Sequence, residues 1–229
     1  MASPEERQKV HQSVLRYFIE TGRAPHYTEL AEALSIVPEK ARQIIRETTV
    51  ESPFLFAWMT PDTDYIGSWA PFSSLPNHHL ISVDGVQKWY GQWGLEALAV
   101  SHLFPGKEIK IDTRCLHSGD RIRVRMRGSE VLEVSPKEAI GYSCTSLDLW
   151  GQPSWAYTWA RMNLFRSEEL VRAWTDFEVK TEKAIKSVRE WAAMFQGAPL
   201  FQRRFDDDFV EKSEEYGNEA LSALGEALS

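Results

Sequence analysis

Residues 89–98 read WYGQWGLEAL. To their left stands ISVDG (81–85), in which Asp-Gly after an apolar run is hairpin-turn chemistry. To their right lies KEIKIDTRCLHSGDRIRVRMRG (107–128), where Ile109 and Ile111, then Ile122, Val124 and Met126, alternate with charges as in a half-exposed antiparallel hairpin. Read as a helix, the central stretch places Trp89, Trp93 and Glu96 on one face, because residues three and four apart are helical neighbours. An acid flanked by two indoles on one face is either a pocket wall or a polar group caught in a core. A helix laid against antiparallel strands gives an α+β fold.

The segment before this framework is helical. Ser3 as N-cap, Pro4 at the first position and Glu6 three residues past the cap open a helix over 4–20, with Val10, Val14, Leu15 and Phe18 as its apolar stripe. Gly22 and Pro25 end it. A short helix runs from Thr28 to Leu34, and a third starts near Pro38 and carries Ala41, Ile44 and Ile45. Two β-like runs follow, 53–59 and 64–70, joined by TPDTD. Three helices and a hairpin form a winged-helix-like pattern over 1–70. The third helix offers Lys40, Arg42 and Arg46 but sets Glu39 and Glu47 beside them, where a DNA reader shows a basic face. Nucleic acid is therefore not an expected partner.

The connector PFSSLPNHH (71–79) marks a domain boundary, with the core domain assigned to 71–205. His78 and His79 have no carboxylate or cysteine at ligand spacing, and on an extended segment only one of them can look inward. Further strands are expected at Val131–Val134 and Ala139–Leu147, on either side of Pro136. Cys115 and His117 share the hairpin connection. A reactive pair there would need an orienting group that is not visible, so a packed structural cysteine is preferred. WGQPSWAYTW (150–159) is a second aromatic cluster. It leads into ARMNLFRSEELVRAW, where Ser167 caps a helix and the helical pattern continues in two segments to about Phe195. Residues 206–229 form an acidic tail or peripheral helix.

Composition sets the outer bounds. The net charge of −7 gives no pull toward nucleic acid or anionic membranes, and no apolar run approaches a membrane span. Two cysteines, Cys115 and Cys144, cannot make a disulfide framework; together with a polar start, MASPEERQKV, they suit a cytoplasmic protein. Nine tryptophans are many for 229 residues. Each is either core filling or ligand-pocket lining.

From about Pro71 to Trp174 the order of motifs resembles the alkylmercury (organomercurial) lyase family. The matching stretches are FSSLP (72–76), VDG (83–85), YGQWGLEAL (90–98), TRCLHSG (113–119) and ARMNLFRSEE (160–169). The resemblance implies an N-terminal winged-helix-like region followed by a core of strands with a helix against it. It also implies a chemistry of two thiolates that take the soft metal and an acid that relays a proton to the departing carbon. On that pattern Trp93 occupies the first cysteine's position, and Glu96 stands where the family has Asp. The second cysteine's position falls at or near Trp159, and Cys115 matches a further family cysteine outside the bond-breaking pair. Residues 145–229 hold no cysteine.

Indole does not coordinate Hg(II) as thiolate does, so carbon–mercury cleavage is not expected. The expectation is a divergent family member with Glu96 as general acid/base, acting on a small apolar or aromatic organic molecule. Trp89, Trp93, Trp155, Trp159, Asn163, Cys115 and His117 are the expected binding residues, with no metal and no cofactor; a homodimer is left open. The alternatives are a ligand-binding or accessory protein without chemistry, and a ligand-sensing winged-helix regulator of DNA.

Overall fold

A computed structural model describes residues 1–143, 162–174 and 185–228. Helices α1 (Pro4–Thr21), α2 (Tyr27–Leu34) and α3 (Pro38–Glu51) come first. The expected capping box is present: the Ser3 hydroxyl accepts from Glu6 N–H at 3.2 Å, and the Glu6 carboxylate accepts from Ser3 N–H at 2.8 Å. The second helix begins one residue before the expected Thr28, because His26 serves as its N-cap with Glu29 reaching back to His26 N–H. A 3-10 turn at Pro53–Leu55 leads into the strands.

One antiparallel sheet holds eight strands: β1 (Ala57–Met59), β2 (Ile66–Trp69), β3 (Phe72–Ser73), β4 (Leu80–Val83), β5 (Val86–Gly91), β6 (Glu108–Arg114), β7 (Arg121–Arg127) and β8 (Glu130–Ser135). Their order is β1-β2-β3-β5-β4-β6-β7-β8. The sheet crosses residue 70 without a break, since β2 pairs with β3 and β3 with β5. Asp84 and Gly85 both have positive φ, 46° and 85°, the turn that matches strand twist in a two-residue hairpin. In the β6–β7 hairpin Ile109 faces Met126, Ile111 faces Val124 and Thr113 faces Ile122, all buried. On the other face Arg123 pairs with Asp112 at 2.8 Å, and Arg125 bridges Glu108 and Glu133. This one-sided burial is the expected alternation realised.

The central stretch is where the expected helix gives way. Trp89 belongs to strand β5, and only Glu96–Leu103 coils, as a 3-10 segment. The Asp84-Gly85 turn carries the chain back along β4, so hydrogen bonding to β4 and β3 continues as far as Gly91. Gly91 is required by a close approach: a Cβ there would lie 2.8 Å from the Ala97 Cβ. Trp89 and Glu96 therefore do not share a helical face.

A second, three-stranded sheet has the order β10-β9-β11, from β9 (Ile140–Tyr142), β10 (Asn163–Phe165) and β11 (Ile185–Ser187). Strand β11 interrupts the region expected to be helical up to Phe195. The helices there are α4 (Glu168–Trp174) and α5 (Val188–Gly197), followed by α6 (Pro199–Gln202) and α7 (Phe209–Leu228). The acidic end is thus a helix, and it docks on α1. The Gln8 amide donates to the Asp206 carbonyl at 2.7 Å and accepts Val210 N–H at 2.7 Å, while Gln12 donates to the Phe205 carbonyl at 3.0 Å. Among the described residues no helix is long and apolar enough to cross a membrane.

Candidate active site

Glu96 opens the 3-10 segment, three residues after Trp93, and is only 3% exposed. Neither carboxyl oxygen has a hydrogen-bond partner among the described residues. Burial pushes its pKa up to about 8, against the opposing pull of the Arg204 charge. Nη2 of Arg204 stands 4.0 Å from Oε1 of Glu96. Arg204 is 1% exposed, and burial draws its own pKa down to about 10. Gln92 donates to the Phe56 carbonyl at 2.6 Å and Arg204 Nη1 to the adjacent Leu55 carbonyl at 3.4 Å, so these two polar side chains converge on one stretch of backbone.

Trp93 is buried and packs on Trp58, with ring centroids 5.3 Å apart. Asn163, at the start of β10, lies against the turn after Trp93: a Cβ on Gly94 would come within 3.0 Å of its Oδ1. Leu95 N–H donates to the Met162 carbonyl at 3.2 Å and fixes that junction. Asn163 is therefore brought against the turn that joins Trp93 to Glu96.

Trp89 points elsewhere. Its indole N–H donates to the Phe18 carbonyl of α1 at 2.7 Å, and its ring meets Phe104 edge-on at 5.1 Å. It ties the sheet to α1, so its expected place in the ligand site is not supported. Cys115 lies at the opposite end of β10 from Asn163, buried. Burial pushes its thiol up, but the Ser118 hydroxyl and the backbone N–H groups of Arg166, Ser118 and His117 outweigh that and hold it below its ordinary value. The His117 side chain is exposed. Trp155 and Trp159 lie outside the described residues, as does Cys144.

Next to this cluster is an apolar cavity of about 250 Å³, lined chiefly by Met162, Trp191, Met194, Phe195, Phe201 and Ala220. Phe201 forms the partition: it lines the cavity, and the Arg204 guanidinium carbon lies 5.7 Å from its ring centroid. Nothing in the run FQRRFDDD (201–208) marks Arg204, one of two adjacent arginines before three aspartates, as a partner of Glu96. Of the two adjacent histidines His79 is the one that looks inward, its Nδ1 meeting the Thr113 hydroxyl at 2.8 Å, whereas the roles of Trp58 and His11 have no local signal. Among the described residues no group of three or more His, Cys, Asp and Glu side chains could hold a metal ion. The third-helix cations are paired at the surface, Arg42 and Arg46 both binding Asp64 at 2.7 Å and Lys40 binding Glu6 at 3.1 Å.

The fold is that of a mixed helix and antiparallel-sheet protein. A solved structure described as the mercury-bound form of MerB2 shares it, with a TM-score of 0.60 over 87% of this chain and 91% of that one, at 17% identity. The family model for alkylmercury lyase (MerB) matches residues 72–201, more than half of the chain, and the protein belongs to that family. No curated protein sequence matches it.

Proposed function

We propose that this alkylmercury-lyase relative acts on a small apolar or aromatic organic molecule, with Glu96 as its general acid/base. The observation that carries the reading is the Glu96 carboxyl, withdrawn from water and raised to about 8, so that it holds a proton at neutral pH. Such a group can deliver that proton to an atom losing its bond and take it back from water. The cavity of about 250 Å³ behind Phe201 supplies apolar walls for the organic part. Trp93 stands three residues before the acid in the same turn, and Asn163 lies against that turn at Gly94.

Carbon–mercury cleavage of the family type is disfavoured on this reading. The resemblance puts Trp93 at the first thiolate's position and the second at or near Trp159, and 145–229 holds no cysteine. The test is turnover: Glu96→Gln should abolish the release of product from small aromatic and alkyl substrates while circular dichroism stays unchanged. Retained activity removes Glu96 from the mechanism. Benzene release from a phenylmercury salt by the unaltered protein would contradict the disfavoured status of mercury chemistry.

A second reading, ligand binding without chemistry, is favoured by the packing of Trp93 on Trp58, which makes that indole a wall more than an open platform. Under it a ligand quenches tryptophan fluorescence and is recovered unchanged. A winged-helix regulator of DNA has less support, because Lys40, Arg42 and Arg46 are already ion-paired within the chain.

A further inference from the structure

Three elements place the Arg204 guanidinium and a fourth holds its backbone. Its carbon lies 5.7 Å from the Phe201 ring centroid of α6 and 5.6 Å from that of Phe209 on α7. Nη1 donates to Leu55 in the 3-10 turn, and the residue's own carbonyl is held at 2.9 Å by Nε2 of His11 on α1. The remaining edge, Nε and Nη2, has no hydrogen-bond partner among the described residues, and Nη2 faces Glu96 at 4.0 Å. Packing alone asks for no cation here. An apolar side chain of similar reach would fill the gap between two phenyl rings without the desolvation cost that a buried charge incurs.

Other charges are turned away from the pair. β6 directs Ile109, Ile111 and Thr113 inward and sets Glu108, Lys110 and Asp112 on the opposite face, and β7 repeats this with Ile122, Val124 and Met126. α5 and α6 bury Trp191, Ala192, Leu200 and Phe201. His102 sits at the far end of the 3-10 segment from Glu96. Asp206 pairs with Arg203, Asp207 with Gln12 and Asp208 with Lys212, all toward solvent. His11 is neutral.

We infer that Arg204 is a positioning residue for Glu96: it holds the carboxyl in place and governs when that carboxyl gives up its proton. The inference rests on Glu96 being the proton donor. An arginine held by elements from both ends of the described chain then links the docking of α1 and α7 to the chemistry of the acid.

The test follows the Glu96 side-chain carboxyl by carbon-13 NMR across pH, with the resonance assigned by its loss in Glu96→Gln. In Arg204→Met the midpoint should rise by about one to three pH units, the effect of removing an opposite charge at this distance. Arg204→Lys should restore most of the difference. An unchanged midpoint in a folded Arg204→Met protein overturns the inference and leaves Glu96 as donor untouched. A midpoint in the ordinary carboxylate range in the unaltered protein overturns the donor reading and this inference with it. Should Arg204→Met not fold, the guanidinium nitrogen-15 shifts of the unaltered protein decide: shifts that move with the Glu96 midpoint support the coupling, and shifts indifferent to it overturn the inference.

Discussion

Trp69 donates its indole N–H to Nδ1 of His11 across 3.0 Å, in a site where His11 is completely buried. Indole is a donor only, so this contact leaves the proton of the neutral imidazole on Nε2, which faces the Arg204 carbonyl. His11 also stacks on Phe209 at 5.0 Å. One ring thus joins α1, the sheet, α7 and the backbone of Arg204.

Replacing His11 with alanine removes both hydrogen bonds and the stack, and leaves the Trp69 indole N–H buried without an acceptor. The expected loss is about 2–4 kcal/mol of stability, read as a lower urea midpoint at neutral pH. A loss below about 0.5 kcal/mol would mean that the contact is incidental.

Acid should destabilise the protein through its histidines. Burial holds His11 and His79 at about 3, with the Arg204 charge adding at His11 and His78 adding at His79. The unfolded chain takes up protons at both below about 6.5 while the folded chain does not. Their stabilisation is therefore present above 6.5 and is lost as pH falls toward 3, at up to about 1.4 kcal/mol per pH unit for each group. Urea midpoints measured from pH 6.5 down to 4.5 should fall steadily; a level profile contradicts the assignment.

Glu96 gives the opposite slope. Its folded value of about 8 exceeds the ordinary value of 4.5, so its contribution is complete below 4.5 and is lost as pH rises through 8. Above 6.5 the histidines no longer oppose it, and stability should peak near that pH. In Glu96→Gln the decline between 6.5 and 8 should flatten. If the variant keeps the same decline, some other group causes it.

Gly217 lies within α7, where alanine ordinarily stabilises a helix by roughly 0.5–1 kcal/mol. Here a Cβ would stand 1.7 Å from Cδ1 of Phe54, so the sign reverses. Gly217→Ala should destabilise by about 1–3 kcal/mol in urea unfolding. Adding Phe54→Leu should recover part of it, whereas Asn218→Ala, one residue on and exposed, should be near neutral.

What the sequence made legible was local. The capping box at Ser3, the turn at Asp84-Gly85 and the alternation from Ile109 to Met126 each depend on residues close together in the chain, and each is present in the structure. The stretch at 89–98 misled because ten residues with two glycines satisfy helical spacing while hydrogen bonding to β3 and β4 decides for a strand. Glu96 was legible as a polar residue in apolar company. Its partner was not: Arg204 stands 108 positions away and meets it only when α6 and α7 have packed.

The clasp between Gln8 and the Asp206–Val210 stretch carries a sequence separation of 198 to 202 residues. A ribosome adding about 5–20 residues per second takes on the order of 10–40 s to make that span. Through that interval α1 has emerged with His11, Gln8 and Gln12 lacking the groups that satisfy them. Newborn chains should then carry an uncovered α1 face that holdase chaperones or proteases can reach, and translation speed over the last quarter of the message becomes a determinant of yield.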